Sequence, residues 1–148
     1  MIVGPFTGGC LCKSIRYEVD SVFDVIYCHC NNCRRCSGAP VLLIAAVAGD
    51  AFRVSEGNPT AYLTSSSGRS YFCGKCGSGL YGEYLAEDHP LARDGRHFSV
   101  RVGTFDEPER LRPQIHQFVE NKLSWFETTD DLLRVEGNTL PHPDKRKH

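Results

Sequence analysis

The chain has 148 residues, with 17 lysines and arginines against 18 aspartates and glutamates, a formal net charge of -1 and a pI near 6.6. That balance gives no global pull toward nucleic acid or an anionic membrane, and the one basic run, Lys145-Arg146-Lys147, lies in the tail, so partners must be argued from sites. No apolar run approaches the roughly 20 residues of a membrane span, and residues 1–9 lack the charged start and long apolar middle of a signal peptide, so a cytoplasmic protein without nucleic-acid or membrane partners is expected.

In chain order, Gly8-Gly9-Cys10-Leu11-Cys12 leads into an alternation with Ile15, Tyr17 and Val19 on one side and Arg16 and Glu18 on the other, which predicts a half-buried strand. Phe23, Val25 and Tyr27 repeat the pattern, so Cys28 falls where a strand ends. Asn31 or Asn32 is expected to cap a short helix over 33–37 that Gly38 stops. Residues 41–47 are continuously apolar and predict a strand buried on both faces. Shorter strands are expected around Phe52-Arg53-Val54, Ala61-Tyr62-Leu63, Ser70-Tyr71-Phe72, 80–84, 98–102 and 115–119, with a polar loop over 85–96 and a second short helix over 129–133 capped by Thr129. The reading is an all-β domain over 1–140 with short helical turns, long enough to bury a real core, followed by a disordered Pro-, Lys- and His-rich tail over 141–148.

The eight cysteines fall as Cys10/Cys12, Cys28/Cys30/Cys33/Cys36 and Cys73/Cys76. Disulfide frameworks belong to short secreted chains, and thiols this close in sequence bridge poorly, whereas such spacings turn sulfurs onto one ion, zinc before an iron-sulfur cluster. Cys10-x-Cys12 with the Cys73-Gly74-Lys75-Cys76-Gly77 knuckle makes a four-thiol set, which fills a tetrahedron and is structural. Cys28, Cys30 and Cys33 then hold a second ion with one position open, the form of a catalytic zinc, unless Cys36, three residues beyond Cys33 on the same helix face, closes it. His29 should point away from the ion that its neighbours share, and His89, His97 and His116 read as ordinary loop or strand histidines. Arg34 and Arg35 either neutralise thiolate charge or hold a substrate carboxylate.

Cys28-His29-Cys30-x-x-Cys33-Arg34-Arg35-x-Ser37-Gly38, Phe72-Cys73-x-x-Cys76-Gly77-Ser78, His116-x-Phe118-Val119-x-x-Lys122-x-x-Trp125 and the opening Gly8-Gly9-Cys10-x-Cys12 together resemble the glutathione-dependent formaldehyde-activating enzyme family. The resemblance implies an Mss4-like zinc-binding β-sandwich. It also implies a structural zinc on Cys10, Cys12, Cys73 and Cys76, and a catalytic zinc on Cys28, Cys30 and Cys33. The reaction it implies is carbon-sulfur lyase chemistry joining glutathione and formaldehyde as S-hydroxymethylglutathione. Cys36 departs from the family pattern. The expected protein is therefore a two-zinc lyase acting on glutathione or a similar small thiol, with Arg34, Arg35 or Lys122 meeting the thiol carrier's carboxylates. The alternative is a non-catalytic zinc module, closed by Cys36, that binds a protein partner.

Overall fold

The alternation that begins at Ile15 is one half of a sandwich, seen in a computed structural model that describes residues 1–87, 89 and 91–138. The tail expected over 141–148, with the last two residues of the expected 1–140 domain, lies outside the described residues. The described strands are β1 (Ile2–Gly9), β2 (Arg16–Val22), β3 (Val25–Cys28), β4 (Leu42–Ala48), β5 (Phe52–Glu56), β6 (Thr60–Leu63), β7 (Gly68–Phe72), β8 (Gly79–Leu85), β9 (Arg96–Arg101), β10 (Ile115–Gln117) and β11 (Leu133–Val135). One short helix, α1 (Asn31–Ser37), and a few 3-10 turns complete the all-β, Mss4-like fold.

A small sheet, β1-β2-β5, faces a large one in the order β11-β10-β3-β4-β9-β8-β7-β6. Antiparallel pairing prevails, and β10 alone pairs parallel, with β3 on one side and β11 on the other. Because strand side chains alternate between faces, register decides what the large sheet turns inward. Val25, Ala45, Val100 and Tyr81 stand in one cross-strand row, and with Val47 and Phe98 they bury against Phe6, Tyr17, Val19 and Phe52. Full burial of one such side chain contributes roughly 1.5–3 kcal/mol, so this row holds the sheets together. The opposite face carries Ile26, Ile44 and Arg101 in one row, Cys28 and Leu42 in the next, and Ala46, Ser99, Gly82 and Ser70 in another. That second face carries the candidate site.

Three expectations are corrected, and one strand is added that the residue pattern did not signal. Residues 2–9 form β1, which Gly4, Pro5, Gly8 and Gly9 disguise, since such residues weaken or break a strand pattern. Gly8 is there because a Cβ would stand 2.3 Å from the Tyr17 hydroxyl packed across it. The cap of α1 is Cys30, not Asn31 or Asn32: its sulfur accepts from the Cys33 N–H at 3.2 Å. Gly38 does end the helix, in the left-handed region at φ 69°. The helix expected over 129–133 is absent; Asp130 instead accepts the Leu132 N–H, and the chain extends into β11 beside β10. Finally, β9 ends at Arg101 and β10 at Gln117, where Phe118 turns left-handed at φ 56°.

Candidate metal centres and the adjoining cavity

Cys10 and Cys12 leave the end of β1 through a turn closed by the Lys13 N–H on the Cys10 carbonyl at 3.0 Å. Cys73 and Cys76 follow β7 in a second turn, which the Gly77 N–H closes on the Cys73 carbonyl at 2.8 Å with Gly77 left-handed at φ 77°. The Leu11 N–H donates to the Ser78 hydroxyl and ties the two turns together. All four sulfurs lie within 4.8 Å of one another, with Cys10–Cys12 at 3.6 Å and Cys12–Cys73 at 3.7 Å. A tetrahedral thiolate site with bonds of about 2.3 Å has edges of about 3.8 Å, so the thiols fit a metal ion and are too far apart to be disulfides. Burial raises the Cys10 thiol, but the Ile15 N–H and the Ser14 hydroxyl donate to its sulfur and bring it down to about 7. Ser78, through hydroxyl and N–H, brings Cys76 down to about 5. Cys10 and Cys76 are thus primed to lose protons to a cation, while Cys12, on which the Ser14 hydrogen bonds act downward, is on balance pushed up beside Cys10 and Cys76.

Cys28, Cys30 and Cys33 form the second group, again with sulfurs within 4.8 Å of one another. Cys28 ends β3, Cys30 caps α1 and Cys33 sits in its first turn. Donation from the Cys28 and Cys33 thiols and from the Cys33 and Asn32 N–H groups pulls Cys30 down to about 3, while Cys28, sharing its proton with Cys30, is pushed up to about 11 and Cys33 also rises. Three sulfurs thus gather around a single negative charge, and a divalent cation fits where the remaining protons sit. Cys36 is exposed and stands outside the three-sulfur group.

All three of these cysteines line a cavity of about 380 Å³ on the outer face of the large sheet. Its floor includes Ile26, Ile44, Ala46, Gly82 and Ser99, and the Thr64–Ser67 turn and Phe118 stand around it. Tyr84 lies across the floor: a Cβ on Gly82 would be 3.0 Å from its hydroxyl, so the phenol folds back over its own strand where only glycine leaves room. Burial, then the neighbouring cysteine cluster, raises the Tyr84 hydroxyl to about 12, so it keeps its proton at neutral pH. Behind Tyr84 stack His97, with centroids 5.3 Å apart, and His89, 3.8 Å from His97. Cys36 also lines the cavity.

The expected cations lie elsewhere. Arg34 and Arg35 are on the last turns of α1 and do not line the cavity, and Lys122 Nζ donates to the carbonyls of Phe126 at 2.7 Å and Leu123 at 3.2 Å. Among the described residues, two arginines line the cavity with the thiols, Arg69, which pairs with Glu83, and Arg101, which the linear sequence does not signal because only strand pairing brings it to this face. His29 points away from the sulfurs, its Nε2 2.9 Å from His116 Nδ1, and His116 Nε2 lies 3.1 Å from both oxygens of Asp130.

Fold and site define a small all-β protein with two cysteine clusters that could hold metal ions, one beside a cavity. No described helix is long and apolar enough to cross a membrane. The sequence model of the family described as glutathione-dependent formaldehyde-activating enzyme matches residues 5–121, and the chain belongs to that family. A Penicillium rubens protein named "Putative glutathione-dependent formaldehyde-activating enzyme" is 31% identical over 126 residues, covering 80% of this chain and 64% of that protein. The chain therefore spans a little under two thirds of that relative's length. A Rhodobacter sphaeroides protein of known crystal structure is similar in fold, with a TM-score of 0.52 and 20% identity over 87% of this chain and 98% of that one.

Proposed function

We propose that the protein is a zinc-dependent carbon-sulfur lyase of the formaldehyde-activating type, a catalytic domain over 1–140 that joins or releases glutathione, or a similar small thiol, and formaldehyde or a related electrophile. The observation that carries the reading is the three-thiol group of Cys28, Cys30 and Cys33 at the wall of the cavity. Three soft sulfur donors suit zinc and leave one position of a tetrahedron for a ligand from the cavity, while the four thiols of Cys10, Cys12, Cys73 and Cys76 suit a second, structural zinc. Bound there, zinc supplies a site at which a substrate thiol loses its proton.

The chain's own part is to gather the reactants and to manage one proton. The narrow cavity brings sulfur and carbonyl carbon together, the largest saving available to an addition of this kind. As the carbon-sulfur bond forms, the carbonyl electron pair moves to oxygen, and the Tyr84 hydroxyl gives that oxygen its proton, later regained from water. In the reverse direction Tyr84 first gives its proton to water and then takes the hydroxymethyl proton as the carbon-sulfur bond breaks. Eight free cysteines accord with a reducing, cytoplasmic setting. The non-catalytic alternative draws less support, since Cys36, which would close the second site, stands outside the sulfur group.

Titration of the zinc-loaded protein with reduced glutathione tests the reading, followed by formaldehyde turnover. Binding and turnover should both vanish in Cys30→Ser. Turnover retained after metal has left that site would overturn the proposal.

A further inference from the structure

We propose that Arg101 is the carboxylate anchor of the cavity, so that the thiol substrate belongs to the class of tripeptide-sized thiols bearing a carboxylate, held at one end by the three-thiol centre and at the other by this guanidinium. The inference rests on the proposed function and names its recognition chemistry.

Two arginines line the cavity among the described residues, Arg69 and Arg101. They differ in what they already hold. Arg69 stands in register with Glu83 and pairs with its carboxylate at 3.6 Å. For Arg101 no carboxylate lies within ion-pair distance among the described residues; its Nη2 donates to the Ser70 hydroxyl at 3.2 Å. A guanidinium carries five N–H donors in a fixed fork that matches a carboxylate, so a neutral hydroxyl leaves most of its capacity and all of its charge unanswered.

Its position is built. A Cβ at residue 79 would come 2.0 Å from Arg101 Nη1, so Gly79 is what allows the guanidinium to lie across β8 toward Ser70 on β7. The hydroxyl of Ser70 lines the cavity beside the guanidinium and supplies a further donor to an anion.

The span fits the proposed class of ligand. Cys28 is on β3 and Arg101 two strands away on β9, its guanidinium leaning over β8, and β3 to β8 is three strand spacings, about 14 Å. A tripeptide at full extension covers about 10 Å of that interval, and a charge-assisted hydrogen bond of about 2.8 Å to the guanidinium covers most of the rest. A two-carbon thiol reaches only the sulfur end.

The test is calorimetric titration of the zinc-loaded full chain, wild type, Arg101→Gln and Arg101→Lys, with three probes: reduced glutathione, glutathione diethyl ester and 2-mercaptoethanol. In Arg101→Gln the affinity for glutathione should fall about 10- to 100-fold, the range for a lost charge-assisted hydrogen bond, while that for 2-mercaptoethanol stays within about twofold. The ester should bind wild type about as weakly as glutathione binds Arg101→Gln, and Arg101→Lys should recover part of the loss. Unchanged glutathione binding in Arg101→Gln, or an ester that binds wild type as tightly as the acid, overturns the anchor while the open thiol-accepting centre stands. Equal losses for glutathione and 2-mercaptoethanol make Arg101 a structural residue and also overturn it. If no probe binds zinc-loaded wild type, the proposed function itself fails and the anchor with it.

Discussion

His29 Nε2 and His116 Nδ1 lie 2.9 Å apart, both rings buried, although 87 residues separate them in the chain. Asp130 accepts from His116 Nε2, so a neutral His116 presents Nδ1 as an acceptor and His29 Nε2 carries the donated proton. His29 sits between two cysteines of the second group, so this chain ties the turn that carries those sulfurs to the segment before β11. His116→Phe should keep the stacking on Tyr27, with centroids now 4.8 Å apart, but leave the His29 N–H unsatisfied. A loss of about 1–3 kcal/mol in denaturant-measured stability is expected, with Asp130→Asn costing less because Asp130 is partly exposed. Coincident unfolding curves for His116→Phe and wild type would contradict the role.

The closed four-thiol set predicts a different phenotype from the open one. Cys76→Ser should reduce zinc content from two ions to one and lower thermal stability sharply, because a tetrahedral thiolate site contributes its binding energy to folding. Cys30→Ser should also lose one zinc, yet with a smaller shift in melting temperature. Metal analysis and thermal melts on the same samples distinguish the two sites.

Acid should weaken the fold through its buried histidines. Burial, then the neighbouring His89, holds His97 down at about 4 from an ordinary 6.5. Between those values the unfolded chain binds the proton and the folded chain does not, so stability rises with pH across that window; it is complete above 6.5 and is lost as pH falls toward 4. The full effect is about 3 kcal/mol. His97→Phe, which keeps the ring between Tyr84 and His89, should reduce the slope between pH 7 and 5.5 when stability is measured at constant zinc content, and the part that remains belongs to His29, which burial and then His116 hold down at about 4 as well.

Removing the proton donor should separate chemistry from binding. Tyr84→Phe keeps the ring on the cavity floor and deletes only the hydroxyl, so turnover should drop about 100-fold with little change in glutathione affinity. Steady-state kinetics in which KM rises while kcat holds would point to a binding role instead.

What the sequence by itself determined is local. Sulfur spacings of one or two residues, the glycine after Cys76, the alternation from Ile15 to Val19 and the helix stop at Gly38 are relations among neighbours, and each is legible because turn geometry and strand pleat act over a few residues. Matching Cys10 and Cys12 with Cys73 and Cys76 was legible as well, since a metal set calls for four donors. Only the tertiary structure decided which charge meets the cavity. Arg34, Arg35 and Lys122 look placed for it in the linear chain, yet Arg101 arrives there through β4 and β9 pairing Ile44 with Arg101, and a slip of one residue in that register would turn it to the opposite face. The same holds for His29 against His116 and for Asp130 beside His116: their partners are chosen by non-local chain approach, which no window of neighbouring residues contains.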